Sequence, residues 1–153
     1  MSGEISTGKV LLTLSSLWSA CGSYRFDWNE THIHNPEWPP HAKFHNAQTM
    51  STGAVLGAAA TYLLWGHRGP WTKARLQVTT AAASIYWITQ LSATLYPGTA
   101  LFDHARPAAG ETAPPRWRGP QTAVAGVALV VNALSYALER RRIRSSFPNS
   151  GPR

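Results

Sequence analysis

The chain carries one cysteine, Cys21, in 153 residues. That excludes an internal disulfide framework and a zinc site built from cysteines. Charge is also scarce: 14% of residues are Asp, Glu, Lys or Arg, against about 25% in ordinary soluble domains. Acids are the scarcer sign, 7 against 14 Lys and Arg, for a formal net charge of +7. There is no GxSxG elbow, no phosphate-binding P-loop and no dinucleotide fingerprint. Internal repeats are missing as well. A chain of this length is one domain or one small bundle.

What the chain does have is apolar segments. Val10–Tyr24, Thr49–Trp65, Leu76–Tyr96 and Gln121–Leu138 are each free of Asp, Glu, Lys and Arg. Runs near 20 residues are long enough to cross a bilayer as helices. The spacing therefore predicts an all-α integral-membrane four-helix bundle over residues 1–144, with spans at about 10–24, 49–65, 76–96 and 121–138. Residues 1–8 and 145–153 read as disordered tails. The first segment is the shortest, and its Ser19-Ala20-Cys21-Gly22 also suits a cleaved signal peptide. Cys21 reads as a packing residue. Gly53-x-x-x-Gly57 allows two helices to approach closely. Asn132 is the one strongly polar side chain in the middle of the last segment, a place where such residues act as interhelical glue more often than as site residues.

Four spans put both termini and the short Gly66–Arg75 connection on one side. That side collects Lys9, Arg68, Lys73, Arg75, Arg140, Arg141, Arg142, Arg144 and Arg153 against Glu4 and Glu139. The excess of positive charge marks it as cytoplasmic. The arginine run is a topology and lipid-headgroup signal, and nucleic acid is not a partner. The membrane would be the endoplasmic reticulum in a eukaryote, and an oligomer is left open.

Between the first two segments lies a dense polar stretch, Phe26–Thr49. It holds four histidines (His32, His34, His41, His45) and three carboxylates (Asp27, Glu30, Glu37), interleaved with Trp28, Trp38 and Phe44. Pro39-Pro40 suits a helix start. The helix it begins places His41 and His45 four apart on one face, with Gln48 one turn on. The second long loop, Pro97–Gly119, adds Asp103, His104 and Glu111 on the same side. Asn29-Glu30-Thr31 matches the glycosylation sequon, close to the first span.

Three readings compete for this stretch. In the first, a carboxylate and a histidine form an acid–base pair in an apolar pocket, where burial brings both pKa values toward neutrality. Aromatic faces such as Trp28, Trp38 or Trp87 would stabilise positive charge developing on a hydrocarbon. In the second, His41 and His45 bind zinc or iron together with His32, His34 or Glu30. In the third, the groups bond one another, order the loop and cap the helices.

The residues Trp28-Asn29-Glu30-Thr31-His32, Asn35-Pro36, Trp38-Pro39-Pro40-His41-Ala42-Lys43-Phe44-His45 and Ala47-Gln48-Thr49 resemble a family of small four-helix membrane proteins of fungi and bacteria. The resemblance implies the fold and brings no activity with it. More distantly, the plan is similar to that of emopamil-binding sterol isomerases and small fungal meroterpenoid cyclases, as an analogy of architecture.

The expectation is therefore a membrane isomerase, cyclase or pericyclase of secondary metabolism. It would act without redox cofactor or metal on a lipophilic, terpenoid-like substrate, with membrane lipids around it. Glu30 or Asp27 is the candidate acid, and His41 and His45 are the base or orienting groups. Trp28, His32, Trp38, Tyr86, Gln90 and Asn132 are candidates for substrate contact. The opposing expectation is a non-enzymatic lipid-binding or assembly protein, or a metal-binding protein using His41 and His45.

Overall fold

A computed structural model describes residues 4–101 and 120–146. Among them the chain is all helical, with no strand. Four helices run in order: α1 (Thr7–Asp27), α2 (Pro40–Thr61), α3 (Lys73–Ala93) and α4 (Pro120–Ser146). A π-helical turn, Tyr62–Gly66, extends α2. Each helix packs on its neighbours in sequence, and α4 closes the bundle against α1.

The helix ends explain where the apolar runs misplace the boundaries. Ser6 caps α1 by accepting from Lys9 N at 3.4 Å. Glu4 pairs with Arg142 of α4, so residues 4–8 are part of the fold and not a loose tail. At its other end α1 runs on through Arg25 to Asp27, which carries that carboxylate on the helix instead of in the loop. Helix α2 begins at Pro40, as the proline pair implies. Helix α3 stops at Ala93, and Thr94 to Tyr96 turn away from it. Helix α4 continues past Leu138 through the arginine run to Ser146. The remainder of the expected C-terminal tail, residues 147–153, lies outside the described residues, as do Asp103, His104 and Glu111 of the second long loop.

The α1–α2 crossing is made by small residues. A Cβ on Gly53 would lie 2.7 Å from Ser19 O, and one on Gly57 would strike Ser16 O. The glycine pair is therefore the close approach that its spacing implies. Facing it, Ser16, Ser19 and Ser23 of α1 are buried. Their hydroxyls donate to Leu12 O at 2.7 Å, Ser15 O at 3.1 Å and Met50 O at 3.3 Å. Across the bundle, Asn132 Nδ2 donates to Ala83 O at 3.0 Å and to Ser84 Oγ at 3.1 Å. That bond joins α4 to α3.

The interior is as polar as it is apolar. Thr79, Asn132, Ser135 and Glu139 are buried beside Leu12, Leu64, Leu76 and Ala83. The outward faces are the reverse, with Leu14, Leu17, Trp18, Val55, Ile85, Ile88, Val130 and Leu134 exposed. Cys21 is exposed too, which corrects its reading as a packing residue. By length and apolarity, one helix among the described residues, Gln121–Ser146, is able to cross a membrane. The four-span expectation is thus met in helix number and not in apolarity: the serines, threonines and glycines of α1 to α3 dilute those runs.

Candidate functional site

The N-terminus of α1, the turn between α2 and α3, and the C-terminus of α4 meet at one end of the bundle, where Ser6 and Trp71 both reach Glu139. The opposite end opens into a cavity of about 570 Å³ between all four helices. Ser23, Phe26 and Asp27 of α1 form one wall, with Gln48, Thr49 and Thr52 of α2 beside them. Tyr86, Trp87, Thr89 and Gln90 of α3 face Gln121 and Val124 of α4, and His32 reaches in from the loop. The volume falls within the roughly 300–1,000 Å³ of pockets that hold drug-sized molecules.

Asp27 is the carboxylate of this cavity. Its Oδ2 accepts from Asn46 Nδ2 at 3.0 Å, and its Oδ1 lies 3.9 Å from His32 Nε2. Burial pushes the Asp27 carboxyl above its ordinary range; the His32 imidazole and the Asn46 amide oppose that push without cancelling it. The carboxyl therefore favours its protonated form more than an exposed aspartate would.

His32 is held by local turns. Asn29 folds the chain after α1, accepting from Thr31 N at 2.9 Å and from Thr31 Oγ1 at 2.7 Å. His32 Nδ1 sits 2.8 Å from Thr31 Oγ1 and 3.2 Å from Asn29 Oδ1, and its ring meets Trp38 edge-on at 5.4 Å. These contacts leave Nε2 turned toward Asp27. Asn29 of the sequon is thus engaged by its own turn, its Nδ2 donating to Phe26 O.

The expected site residues divide into two sets. Asp27, His32, Tyr86 and Gln90 come together on the cavity wall. Glu30 does not: it is exposed on the loop. Trp28 is exposed and packs edge-on against His34 at 5.4 Å, and Trp38 meets His32 without lining the cavity itself. Asn132 lies deeper in the bundle as the α3–α4 bond. His41 and His45 are exposed, with their Nε2 atoms 3.1 Å apart and His45 Nδ1 3.3 Å from Gln48 Oε1. They continue the Gln48–Thr52 face of α2 outward beyond the cavity lining.

That placement narrows two expectations. Of the two candidate acids, Asp27 lines the cavity and Glu30 does not, because α1 runs further than its apolar core and carries Asp27 inward. The alternative metal reading places His32, His34 or Glu30 beside the histidine pair, and the fold engages His32 and His34 elsewhere. Among the described residues, no three His, Cys, Asp or Glu side chains come together.

Residues 11–148 match the family of unknown function DUF6640. The chain belongs to this family. No curated protein and no solved structure matches it. The DUF6640 match takes in most of α1, all of α2 to α4 and the loop that carries His32, and it assigns no activity to them.

Some residues at or behind the cavity wall escape a reading of the sequence alone. Asn46, which bonds Asp27, lies 19 positions away from it. One signal was available: Asn46, Met50, Gly53 and Gly57 recur at helical spacing on the face that meets α1. Gln121 gave none, since it reads as the polar edge of an apolar segment.

Proposed function

We propose that this protein is a membrane-embedded isomerase or cyclase, acting by proton transfer and without a redox cofactor on a lipophilic, terpenoid-like molecule held in the cavity. The observation that carries the reading is Asp27: a carboxyl on the wall of a cavity, biased by burial toward its protonated form, with an imidazole 3.9 Å away. The proton of Asp27 passes to an alkene carbon of the substrate. The resulting cation migrates or closes a ring, with the Tyr86 and Trp87 faces nearby to stabilise it. A neighbouring carbon then loses a proton to His32, which returns it to Asp27. The product is an isomer of the substrate and needs no electron carrier.

Membrane residence is supported by the inverted surface, by the one helix among the described residues that is long and apolar enough to cross, and by the gathering of Lys and Arg at one end. In this reading that end is cytoplasmic and the cavity opens on the lumenal or external side.

The test is expression of the wild type and D27N in one host, followed by mass spectrometry of the lipid extracts. A species of unchanged mass and new retention time should appear with the wild type and vanish with D27N, while both proteins stay folded. A folded wild type that retains lipid in its cavity yet converts nothing would replace the enzyme with a lipid-binding protein.

A further inference from the structure

The two histidines that the cavity leaves aside form a pair of their own. Helix α2 begins at Pro40, so His41 and His45 stand one turn apart on the same face. Both are exposed, and their Nε2 atoms lie 3.1 Å from each other. Each ring is steadied from outside that gap. Phe44 stands edge-on to the His45 ring at 5.4 Å and parallel to the His41 ring at 6.2 Å. On the far side of His45, Nδ1 lies 3.3 Å from Gln48 Oε1. That contact occupies Nδ1 and leaves Nε2 facing His41.

A neutral imidazole has one N–H and one lone pair, so a single N–H is enough to join the two rings. A cation that takes both lone pairs replaces that proton and needs little movement of either ring. Metal–nitrogen bonds of about 2.0–2.1 Å to nitrogens 3.1 Å apart would meet at an angle of about 100°. That angle lies between the right angle of square-planar copper or nickel and the tetrahedral angle of zinc. Nitrogen donors select these ions over magnesium and calcium, which take oxygen. Exposure lets the ion keep water on its remaining positions, so no charge is taken out of water. With the ion on His45 Nε2, the Nδ1–H donates to the Gln48 amide, the kind of outer contact that metal-bound histidines ordinarily keep.

We propose that His41 and His45 form a two-imidazole chelate for a divalent late first-row transition ion, with Cu²⁺ held tightest. Water completes the coordination. The chelate takes nothing from His32, His34 or Glu30, unlike the three-ligand arrangement that the fold does not assemble. It lies on α2 outside the cavity lining, and its ion has no part in the proton cycle of Asp27 and His32. The chelate therefore stands or falls independently of that cycle.

The test uses the purified full chain in detergent micelles, free of any polyhistidine tag, titrated with Cu²⁺ alone and followed by electron paramagnetic resonance. One equivalent of Cu²⁺ should bind, with two imidazoles counted in the pulsed spectrum. H41A and H45A should each weaken binding about tenfold or more and leave one imidazole on the copper that remains. H67A removes an exposed histidine beyond the other end of α2 and should bind as the wild type does. Circular dichroism checks that each variant keeps its helices; should one lose them, the imidazole count of the wild type decides by itself. Unweakened binding in folded H41A or H45A, or a wild-type spectrum with one imidazole or none, overturns the chelate.

Discussion

The two ends of the bundle are built from similar residues and do opposite things with them. At the end that gathers both helix termini, Lys9 and Glu139 are 0% and 1% exposed, yet neither is stranded. One Glu139 oxygen accepts from Ser6 Oγ and the other from Trp71 Nε1 at 2.8 Å. Lys9 Nζ lies over the rings of Trp65 and Trp71 at 5.3 and 4.8 Å. Arg75 closes the π-helical turn, donating to Leu63 O at 2.6 Å, Gly69 O at 3.1 Å and Leu64 O at 3.4 Å. At the other end, Trp87, Gln90 and Gln121 are among the residues around a cavity, and each has a buried polar atom with no partner among the described residues. Matched polar groups in a low-dielectric interior lock a fold, whereas unmatched ones are held at a cost to stability. The first end is a clasp, with Arg140 Nε the buried exception that meets no partner among the described residues, and the second is an open cavity.

The sharpest way to break that contrast is to remove one charge from each end. E139A leaves Lys9 and the Trp71 N–H buried without their carboxylate. Removing one partner of a buried charged cluster costs about 3–5 kcal/mol, so the thermal midpoint in detergent should fall steeply or folded protein should be lost. D27N at the open end should leave the midpoint near that of the wild type. Comparable losses in both variants would mean that Asp27 is as structural as Glu139.

A pH series sharpens the same comparison, with a smaller effect. Because burial raises the Asp27 carboxyl above its ordinary range, the folded state holds that proton more tightly than the unfolded chain does. The resulting stabilisation is complete below about pH 4, the unfolded value, and is lost as pH rises through the higher folded value. The wild type should therefore lose stability across that window relative to D27N, which cannot ionise there. Thermal midpoints of both proteins from acid to neutral pH check the sign. A wild type that gains stability over D27N on going to neutral pH would place a charged, paired Asp27 at the site.

The clasp was hidden in the sequence by its own logic. Lys9, Arg75 and Glu139 read as surface charges beside a membrane because linear order shows charge and not partners. Only the return of α4 beside α1 brings Glu139 to Ser6. The glycine pair, the proline helix start and the four helices were legible because each is a local rule of spacing or backbone geometry. The site was legible in part. Tyr86 and Gln90 follow from helical spacing alone, and Asp27 and His32 stood out by density of titratable groups. That density could not rank Asp27 above Glu30, since the difference is whether α1 continues three residues past Tyr24. It also favoured His41 and His45, whose spacing is right for a shared face but whose face leaves the cavity.

His41 therefore supplies the finest test of where the site ends. Its Nε2 meets His45 at 3.1 Å and its ring stacks with exposed Phe44 at 6.2 Å, all outside the cavity lining. Exposed substitutions away from buried networks change stability by about 0.5 kcal/mol or less, so H41A should be nearly silent in a thermal scan. It should also retain the isomeric product that D27N loses, because no proton in the proposed cycle passes beyond Asp27 and His32. His45 is a less clean choice, as its contact with Gln48 couples it to the wall. If H41A instead abolishes the product while the bundle stays folded, the reacting end of the substrate lies at the rim. The acid–base pair would then have to be rebuilt around the two imidazoles, leaving Asp27 to gate the mouth.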